Sequence, residues 1–376
     1  LLQSLKLFPF IKEKDETMKL LEYFYERNND LGFFHQRKFN IPNDDKVHIY
    51  GSPGGGKSFL VLDYMMTFNT QEILYIDFND PKLYFIHISV EELNRFIVEN
   101  KIKTLILDHY EHSYFKRLPS SNRLIIVSDI MNDYGGDFQT LEVPLLDYEE
   151  FFSFQKKGNE TQIFNLFFKQ GTLPALAVTH YLKEEVFQNF LKNHFSESEI
   201  KLLCVLAYFN GKTVTTFQLY TYAKERYKIS KDQIYKQIKQ FQTQKVIHFI
   251  EDTLNLTTKK LLFYDFALAK HLSLNQSFFI QFDTMLALSL IKHNIHFKTF
   301  GQSAYLTEKN ILIYPAPFEN EENFLKKAYN RLSHFQQANI VKISIVTINT
   351  HYKFKIENIE FEALPFYEWV VINDEN

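Results

Sequence analysis

Apolar and polar positions along this chain change period between segments. Lys46-Val47-His48-Ile49-Tyr50 alternates with a period of two and reads as a short strand. Ile73-Leu74-Tyr75-Ile76-Asp77-Phe78, Thr104-Leu105-Ile106-Leu107-Asp108 and Arg123-Leu124-Ile125-Ile126-Val127-Ser128 are nearly continuous apolar runs of strand length, and Thr140–Pro144 is a shorter one. Helical stretches separate them. One runs from Ser58 to Asn69, and another opens at the capping box Ser89-Val90-Glu91-Glu92 and continues to about Asn100. Short apolar strands alternating with helices predict a parallel sheet buried on both faces. Ahead of the sheet, Thr17 to Asn28 places Met18, Leu21, Tyr23, Phe24 and Tyr25 as a packed helix would, and Pro42-Asn43-Asp44-Asp45 ends that approach segment in a turn.

Past residue 146 the helical period takes over. Asp147-Tyr148-Glu149-Glu150 is a second capping box, opening a helix through Lys157, and Glu160–Gln170 and Val178–His194 follow on either side of Gly171-Thr172-Leu173-Pro174. Ser196-Glu197-Ser198-Glu199 caps a helix that runs to Phe209 and stops at Asn210-Gly211. Thr216–Tyr227 is a second helix, and Ser230-Lys231-Asp232-Gln233 opens a third that reaches about Thr243. Val246–Ile250 and Lys260–Tyr264 then flank a polar turn. Three helices followed by a hairpin is the order of a winged helix-turn-helix. The remainder is mixed, with helices at Ser277–Lys292, Glu321–Gln337 and near Phe366–Val371, and strands around Ile311–Tyr314 and Val341–Ile348. The pattern divides into an approach segment (1–45), an α/β domain (46–146), a helical lid (147–195), a winged helix (196–265) and a small α+β C-terminal domain (266–376).

The most specific stretch is Gly51-Ser52-Pro53-Gly54-Gly55-Gly56-Lys57-Ser58, which fits the phosphate-binding loop G-x-x-x-x-G-K-[S/T] without a gap. Glycines let backbone N–H groups curl around the β- and γ-phosphates, Lys57 supplies a point charge, and Ser58 offers its hydroxyl to Mg²⁺. The strand before it and the helix after it give the context that the loop requires. ATP and Mg²⁺ are therefore the expected ligands. A second acidic residue at a strand end must complete such a metal site, and Asp108 takes that part. Hydrolysis further needs a group to orient the attacking water. His109 follows Asp108 directly, and period-two alternation would put Glu111 on the same side of an extended chain. Three outcomes stay open: His109 polarises water, Glu111 does so, or hydrolysis is slow. Ser128, ending its own strand, is the candidate polar sensor of the γ-phosphate.

The third helix of the winged module carries Lys231, Lys236, Lys239 and, just beyond it, Lys245, together with Gln233, Gln237, Gln240 and Gln242. Lysines contact phosphates and glutamines can reach base edges, so DNA is one candidate partner and a protein partner the other. Composition tempers this. With 42 Lys+Arg against 45 Asp+Glu, the net charge of −3 excludes a globally basic nucleic-acid binder. Hydrophobic residues at 45% allow large cores and exclude wholesale disorder, and the 39 Phe and 22 Tyr read as core filling. A single cysteine, Cys204, permits no intrachain disulfide, and its apolar surroundings predict a buried thiol. No stretch approaches the roughly 20 apolar residues that span a bilayer. A cytoplasmic protein without membrane contact is expected.

Taken together, these residues resemble a family of prokaryotic AAA+ ATPases in which the P-loop domain precedes a winged helix and a C-terminal domain related to restriction endonucleases. The likeness rests on the loop at 51–58, on Tyr75-Ile76-Asp77-Phe78-Asn79-Asp80-Pro81-Lys82-Leu83, on Asp108, and on Leu145-Leu146-Asp147-Tyr148-Glu149-Glu150-Phe151. Gly171-Thr172-Leu173-Pro174 and Phe263-Tyr264-Asp265 extend it, so that it spans residues 40–270 well and the rest weakly. The resemblance implies an AAA+-like ATP-binding domain whose nucleotide state controls the winged-helix and C-terminal platform, and it admits self-association. The alternative is a non-hydrolysing, nucleotide-gated adaptor. Three departures stand out. His109 occupies the place of the family's glutamate, and Gly136-Asp137 that of its Gly-Arg, so an arginine finger is not expected there. Ile311–Pro317, on the strand where a nuclease would carry Glu-x-Lys, has no such pair, so nuclease chemistry is not expected.

Overall fold

The apolar runs between Lys46 and Glu142 are the strands of one sheet. In the computed structural model, which describes residues 13–27, 35–155, 157–179, 184–253, 255, 257–275 and 277–374, the chain divides into two compact units, Leu1–Pro144 and Leu145–Asn376. The first unit contains α1 (Glu13–Glu26), β1 (Lys46–Tyr50), α2 (Lys57–Met65), β2 (Ile73–Asp77), α3 (Val90–Glu99), β3 (Thr104–Asp108), β4 (Arg123–Ser128) and β5 (Gln139–Glu142). All strand pairings are parallel, in the order β2-β3-β4-β1-β5. The fold is α/β, as the pattern predicts.

Alternation along these strands builds two separate cores. Leu74, Ile76, Leu105, Leu107, Leu124 and Ile126 point to one face and pack with Leu21 and Phe24 of α1 and Leu93, Phe96 and Ile97 of α3. Ile73, Tyr75, Ile106, Ile125, Val127, Val47 and Ile49 point to the other, against Leu60, Val61 and Met65 of α2. Burial on both sides is why the strands read as unbroken apolar runs. Ser89 caps α3 by accepting from the Glu92 amide, as expected. The helix expected over 17–28 begins earlier, at Glu13, and residues 28–34 lie outside the described residues.

The second unit begins with α4 (Tyr148–Phe154), α5 (Glu160–Gln170), α6 (Pro174–Ala177) and α7 (Glu184–His194). Asp147 caps α4, but that helix stops at Phe154 because Gln155 turns extended; the expected continuation through Lys157 is not formed, and Lys156 lies outside the described residues. Of the helix expected over 178–194, Val178 and Thr179 are not helical and α7 is described from Glu184 to His194, with 180–183 outside the described residues. Next come α8 (Glu197–Phe209), β6 (Thr213–Val214), α9 (Thr216–Lys224), α10 (Lys231–Thr243), β7 (Ile247–Glu251) and β8 (Lys259–Phe263). Reciprocal capping boxes open α8, α9 and α10, each joining the cap hydroxyl of Ser196, Thr215 or Ser230 to the third residue beyond it. β6, β8 and β7 form a small antiparallel sheet in that order.

Cys204 departs from expectation. It is exposed on α8, while Leu202, Leu203, Val205 and Leu206 are buried. Successive side chains on a helix are about 100° apart, and Cys204 falls on the side that α8 turns away from its buried residues.

The chain then forms α11 (Phe266–Leu272), α12 (Phe278–Lys292), β9 (Phe297–Phe300), β10 (Ala304–Thr307), β11 (Ile311–Pro315), α13 (Glu321–Gln337), β12 (Lys342–Thr347), β13 (Tyr352–Ile356), β14 (Ile359–Pro365) and α14 (Phe366–Asp374). β9, β10 and β11 are an antiparallel meander; α13 carries the chain over to β12, parallel to β11, and β14 pairs parallel to β12 with β13 at the edge. The sequence anticipates β11, α13 and β12 but not β9, β10, β13 or β14, whose alternation is mixed with charge, as in Tyr352-Lys353-Phe354-Lys355-Ile356. Among the described residues, no helix is long and apolar enough to cross a membrane.

Polar contacts stitch the small β6-β8-β7 sheet to this larger one. Thr299 of β9 accepts the Thr253 amide at 3.0 Å and donates its hydroxyl to Asp252 at 2.7 Å. Lys260 of β8 is 3% exposed, yet its ammonium meets Asp283 of α12 at 2.6 Å and the Tyr305 hydroxyl of β10 at 2.8 Å. Tyr305 in turn donates to Asp283 at 2.7 Å. Asn210 completes the seam, donating to Thr284 at 3.0 Å and accepting the Phe263 amide at 2.9 Å. Removing one member of a buried ion pair strands the other's charge, so Asp283→Ala should lower unfolding free energy by about 3–5 kcal/mol. Lys260→Met combined with Asp283→Leu should lose distinctly less. Urea denaturation reads both variants, and equal losses would contradict a buried, mutually compensated pair.

Candidate nucleotide site

The loop between β1 and α2 is held from three sides. Gly51 passes so close to the segment after β5 that a Cβ there would lie 2.2 Å from the Val143 carbonyl oxygen. Gly56 has φ +84° at the start of α2, a left-handed conformation that glycine adopts without strain. No side chain caps α2, so its first amides face the loop rather than a capping hydroxyl. From below, Arg37 donates to the Gly55 carbonyl at 2.5 Å and to the Pro144 carbonyl at 2.8 Å, and its guanidinium stacks 5.4 Å from the Phe39 ring. Ser52, Pro53 and Gly55 are buried, and Gly54 and Ser58 half-buried.

Lys57 is the first residue of α2 and is 6% exposed. Its ammonium curls back over the loop to the carbonyls of Gly51 (2.8 Å) and Ser52 (3.0 Å) and to the Asp129 carboxylate (2.9 Å). Three donors meet three acceptors.

Sheet register sets out the acidic side of the site. Asp77 ends β2 directly beside Asp108 at the end of β3, and Ser128 ends β4 beside Tyr50 of β1. β4 therefore lies between the loop strand and the Asp108 strand. Asp108 is fully buried; one oxygen accepts the Tyr75 hydroxyl at 2.6 Å and the other the His109 amide at 2.8 Å. Each carboxylate oxygen retains a further lone pair, so this carboxylate is fixed in direction without being saturated. Among the described residues no group of three or more His, Cys, Asp or Glu is arranged to hold a metal ion alone. Mg²⁺ bound by one carboxylate, a serine hydroxyl and substrate phosphates needs no such cage, and Ser58 and Asp108 carry oxygen donors of that kind.

His109 stands at φ +53°, a left-handed turn that carries the chain back so that the Tyr110 amide bonds the Val127 carbonyl at 3.0 Å. The turn overturns the expectation that Glu111 shares His109's side, because alternation requires an extended chain at the residue where it fails. Glu111 is exposed, accepts a long hydrogen bond from Ser113 at 3.4 Å, and among the described residues forms no hydrogen bond or ion pair with Lys57, Asp108 or His109. His109 instead places Nδ1 2.8 Å from Asp77. Burial works to lower its pKa, but the hydrogen bond to Asp77 and the charges of Asp108, Asp77 and Asp129 raise it above the ordinary value of 6.5. For Asp77, burial pulls upward, while the bonds from His109 and the Asn79 amide hold it below its ordinary 3.8.

Ser128 is buried, and its hydroxyl is engaged: it donates to the Ile130 carbonyl at 2.7 Å and meets Nε2 of His48 at 2.8 Å. His48, in the middle of β1, is kept neutral by burial, which pushes its pKa down to about 4. In the second unit, Lys231, Lys236 and Lys239 are exposed on α10, and none is ion-paired among the described residues. Three of the four glutamines there are engaged internally: Gln233 in the capping box, Gln237 to Ser198, and Gln240 to Glu199.

Sequence reasoning passed over Asp77, Asp129 and Arg37 as site residues. The first two carry a usable signal, since each ends or follows a parallel strand as Asp108 and Ser128 do. Arg37 lies in no motif and becomes visible only where the chain returns beneath the loop.

No family model matches the chain. It is 22% identical to the uncharacterized protein MJ1544 of Methanocaldococcus jannaschii, with 88% of each chain covered. Among solved structures it is similar to the Walker-type ATPase PABY2304 of Pyrococcus abyssi (12% identity, TM-score 0.40, covering 69% of this chain and 95% of that one). It is also similar to the ORC1 protein of Aeropyrum pernix in complex with DNA (10% identity, TM-score 0.26, covering 72% and 93%).

The His109–Asp77 pair gives a pH signature. A raised histidine pKa contributes stability below 6.5 that is lost as pH rises through the folded value, and a depressed aspartate pKa contributes stability above 3.8 that is lost as pH falls. Wild type should therefore exceed Asp77→Asn in melting temperature most at about pH 5, with the gap narrowing above neutrality. A gap independent of pH between 5 and 8 would contradict the ion pair.

Proposed function

We propose that the chain is an ATP-binding, AAA+-like protein with Mg²⁺ as cofactor and slow hydrolysis, whose nucleotide state controls the second unit as an interaction platform. One observation carries the reading. A buried lysine ammonium is seated on its own loop carbonyls at the mouth of a parallel sheet, with a fixed carboxylate, Asp108, two strands away. Ligands of open α/β sheets bind at the carboxyl ends of the strands, and this end presents the loop, the start of α2 and the acid together. Lys57 and the loop amides would hold phosphate oxygens, and Ser58 and Asp108 the metal, which when bound would offset charge on those oxygens.

Of the two candidates for orienting water, His109 lies with the acidic edge and Glu111 does not. Asp77 fixes its Nδ1 and leaves Nε2 as the ring atom that can face a water. MgATP binding should weaken at least about tenfold in Lys57→Ala. Phosphate release should drop about 100-fold in His109→Ala, while Glu111→Gln stays near wild type. Calorimetry and a phosphate-release assay read these. Wild-type release no faster than that of Lys57→Ala would remove the enzyme reading and leave the non-hydrolysing adaptor.

A second observation favours nucleic acid as the platform's partner. We read α8, α9, α10 and the β7–β8 hairpin as a winged helix. Residues 224–245 carry seven Lys or Arg against two acids, in a chain of net charge −3. The lysines of α10 are exposed, whereas Gln233, Gln237 and Gln240 are engaged in hydrogen bonds within the protein, which suits phosphate contact more than base reading. Lys236→Glu/Lys239→Glu should weaken duplex binding and reduce the log–log salt slope by about 2. An unchanged slope would turn the face toward a protein partner.

A further inference from the structure

The third acceptor on Lys57 is neither part of the loop nor a known requirement of it. Gly51 and Ser52 lend carbonyls that belong to the cradle itself and stay with it. Asp129 comes from the segment after β4, and its side chain is 38% exposed at 2.9 Å from the ammonium. An ammonium has three protons, and all three are taken. A phosphate oxygen can reach Lys57 only by displacing one acceptor. The movable one, and the only one with a full charge, is Asp129. Were it to stay, two anions would share a single cation in a water-poor site.

We propose that Asp129 is an internal counter-anion, which occupies the phosphate's place on Lys57 in the empty loop and must be displaced for nucleotide to bind. It is a positioning residue that sets affinity. In the empty protein it keeps the lysine folded onto the loop, and in competition with ligand it weakens binding. The proposal rests on the nucleotide reading above, and its test separates the two.

Two measurements suffice, on the full chain. In nucleotide-free protein, acylation of Lys57 by a small amine-reactive ester, followed by peptide mass spectrometry, should run severalfold faster in Asp129→Asn than in wild type. Titration of MgATP and of inorganic pyrophosphate should show the variant binding about tenfold tighter than wild type. Asp129→Ser, checked by its thermal melt, serves the same purpose if the asparagine variant does not fold. Faster acylation with tighter binding is the expected result. Unchanged affinity in a variant whose wild type binds MgATP overturns this proposal and leaves the nucleotide reading in place. Absence of MgATP binding in wild type and variants alike overturns the nucleotide reading, and the displacement step with it.

Discussion

A lysine ammonium that is nearly inaccessible to water must find all of its hydrogen-bond partners in protein. Lys57 meets that demand by drawing the carbonyls of Gly51 and Ser52 inward. Once those carbonyls turn inward, the loop can close only with backbone that passes tightly by Val143 and turns left-handed at Gly56. The residues beneath follow from the same need. Arg37 ties down the Gly55 and Pro144 carbonyls, which would otherwise be buried acceptors lacking a donor at the turn's outer edge. The charge left on the ammonium then recruits Asp129 from the neighbouring strand end.

Parallel pairing makes the sheet a ruler for the opposite side of the site. Because Asp77 and Asp108 are register partners, two carboxylates reach the same edge side by side. Their repulsion is relieved differently. Asp108 is buried and takes two neutral hydrogen bonds, from Tyr75 and from the amide of His109, whereas Asp77 takes the imidazole. The left-handed turn at His109 is what allows one residue to serve both, its amide on Asp108 and its ring on Asp77. A glutamate in place of His109 would add a third negative charge to this edge, whereas the imidazole gives Asp77 a partner.

How much of this was legible follows from where the information sits. The strands of the first unit were readable because both of their faces are apolar, and α13 because its period is unbroken over four turns. The phosphate loop was readable because its glycines and lysine are adjacent in sequence. Asp129, Asp77 and Arg37 act on residues 72, 32 and 18 positions away, respectively, and such pairings are fixed by sheet order and chain return rather than by local pattern. Glu111 was misplaced for a related reason: a single positive φ at His109 breaks the alternation on which its placement relied. The edge strand β13 and its neighbour β14 escaped because charged residues such as Lys353, Glu360 and Glu362, paired across the two strands, alternate with their apolar residues and hide the period.

The same logic bears on the second unit. A hairpin at the edge of a small sheet is ordinarily an open strand edge, able to pair with another chain. Here β7 is met by Thr299 of β9, and β8 is anchored through Lys260 to α12 and β10. On the helices packed with this sheet, α10 carries the exposed Lys231, Lys236 and Lys239. Buried charge and amide contacts thus tie the small sheet to the C-terminal one. The price of that tie is a buried lysine. It remains tolerable only while Asp283 and Tyr305 both hold it, because loss of either leaves a buried polar group without its partner.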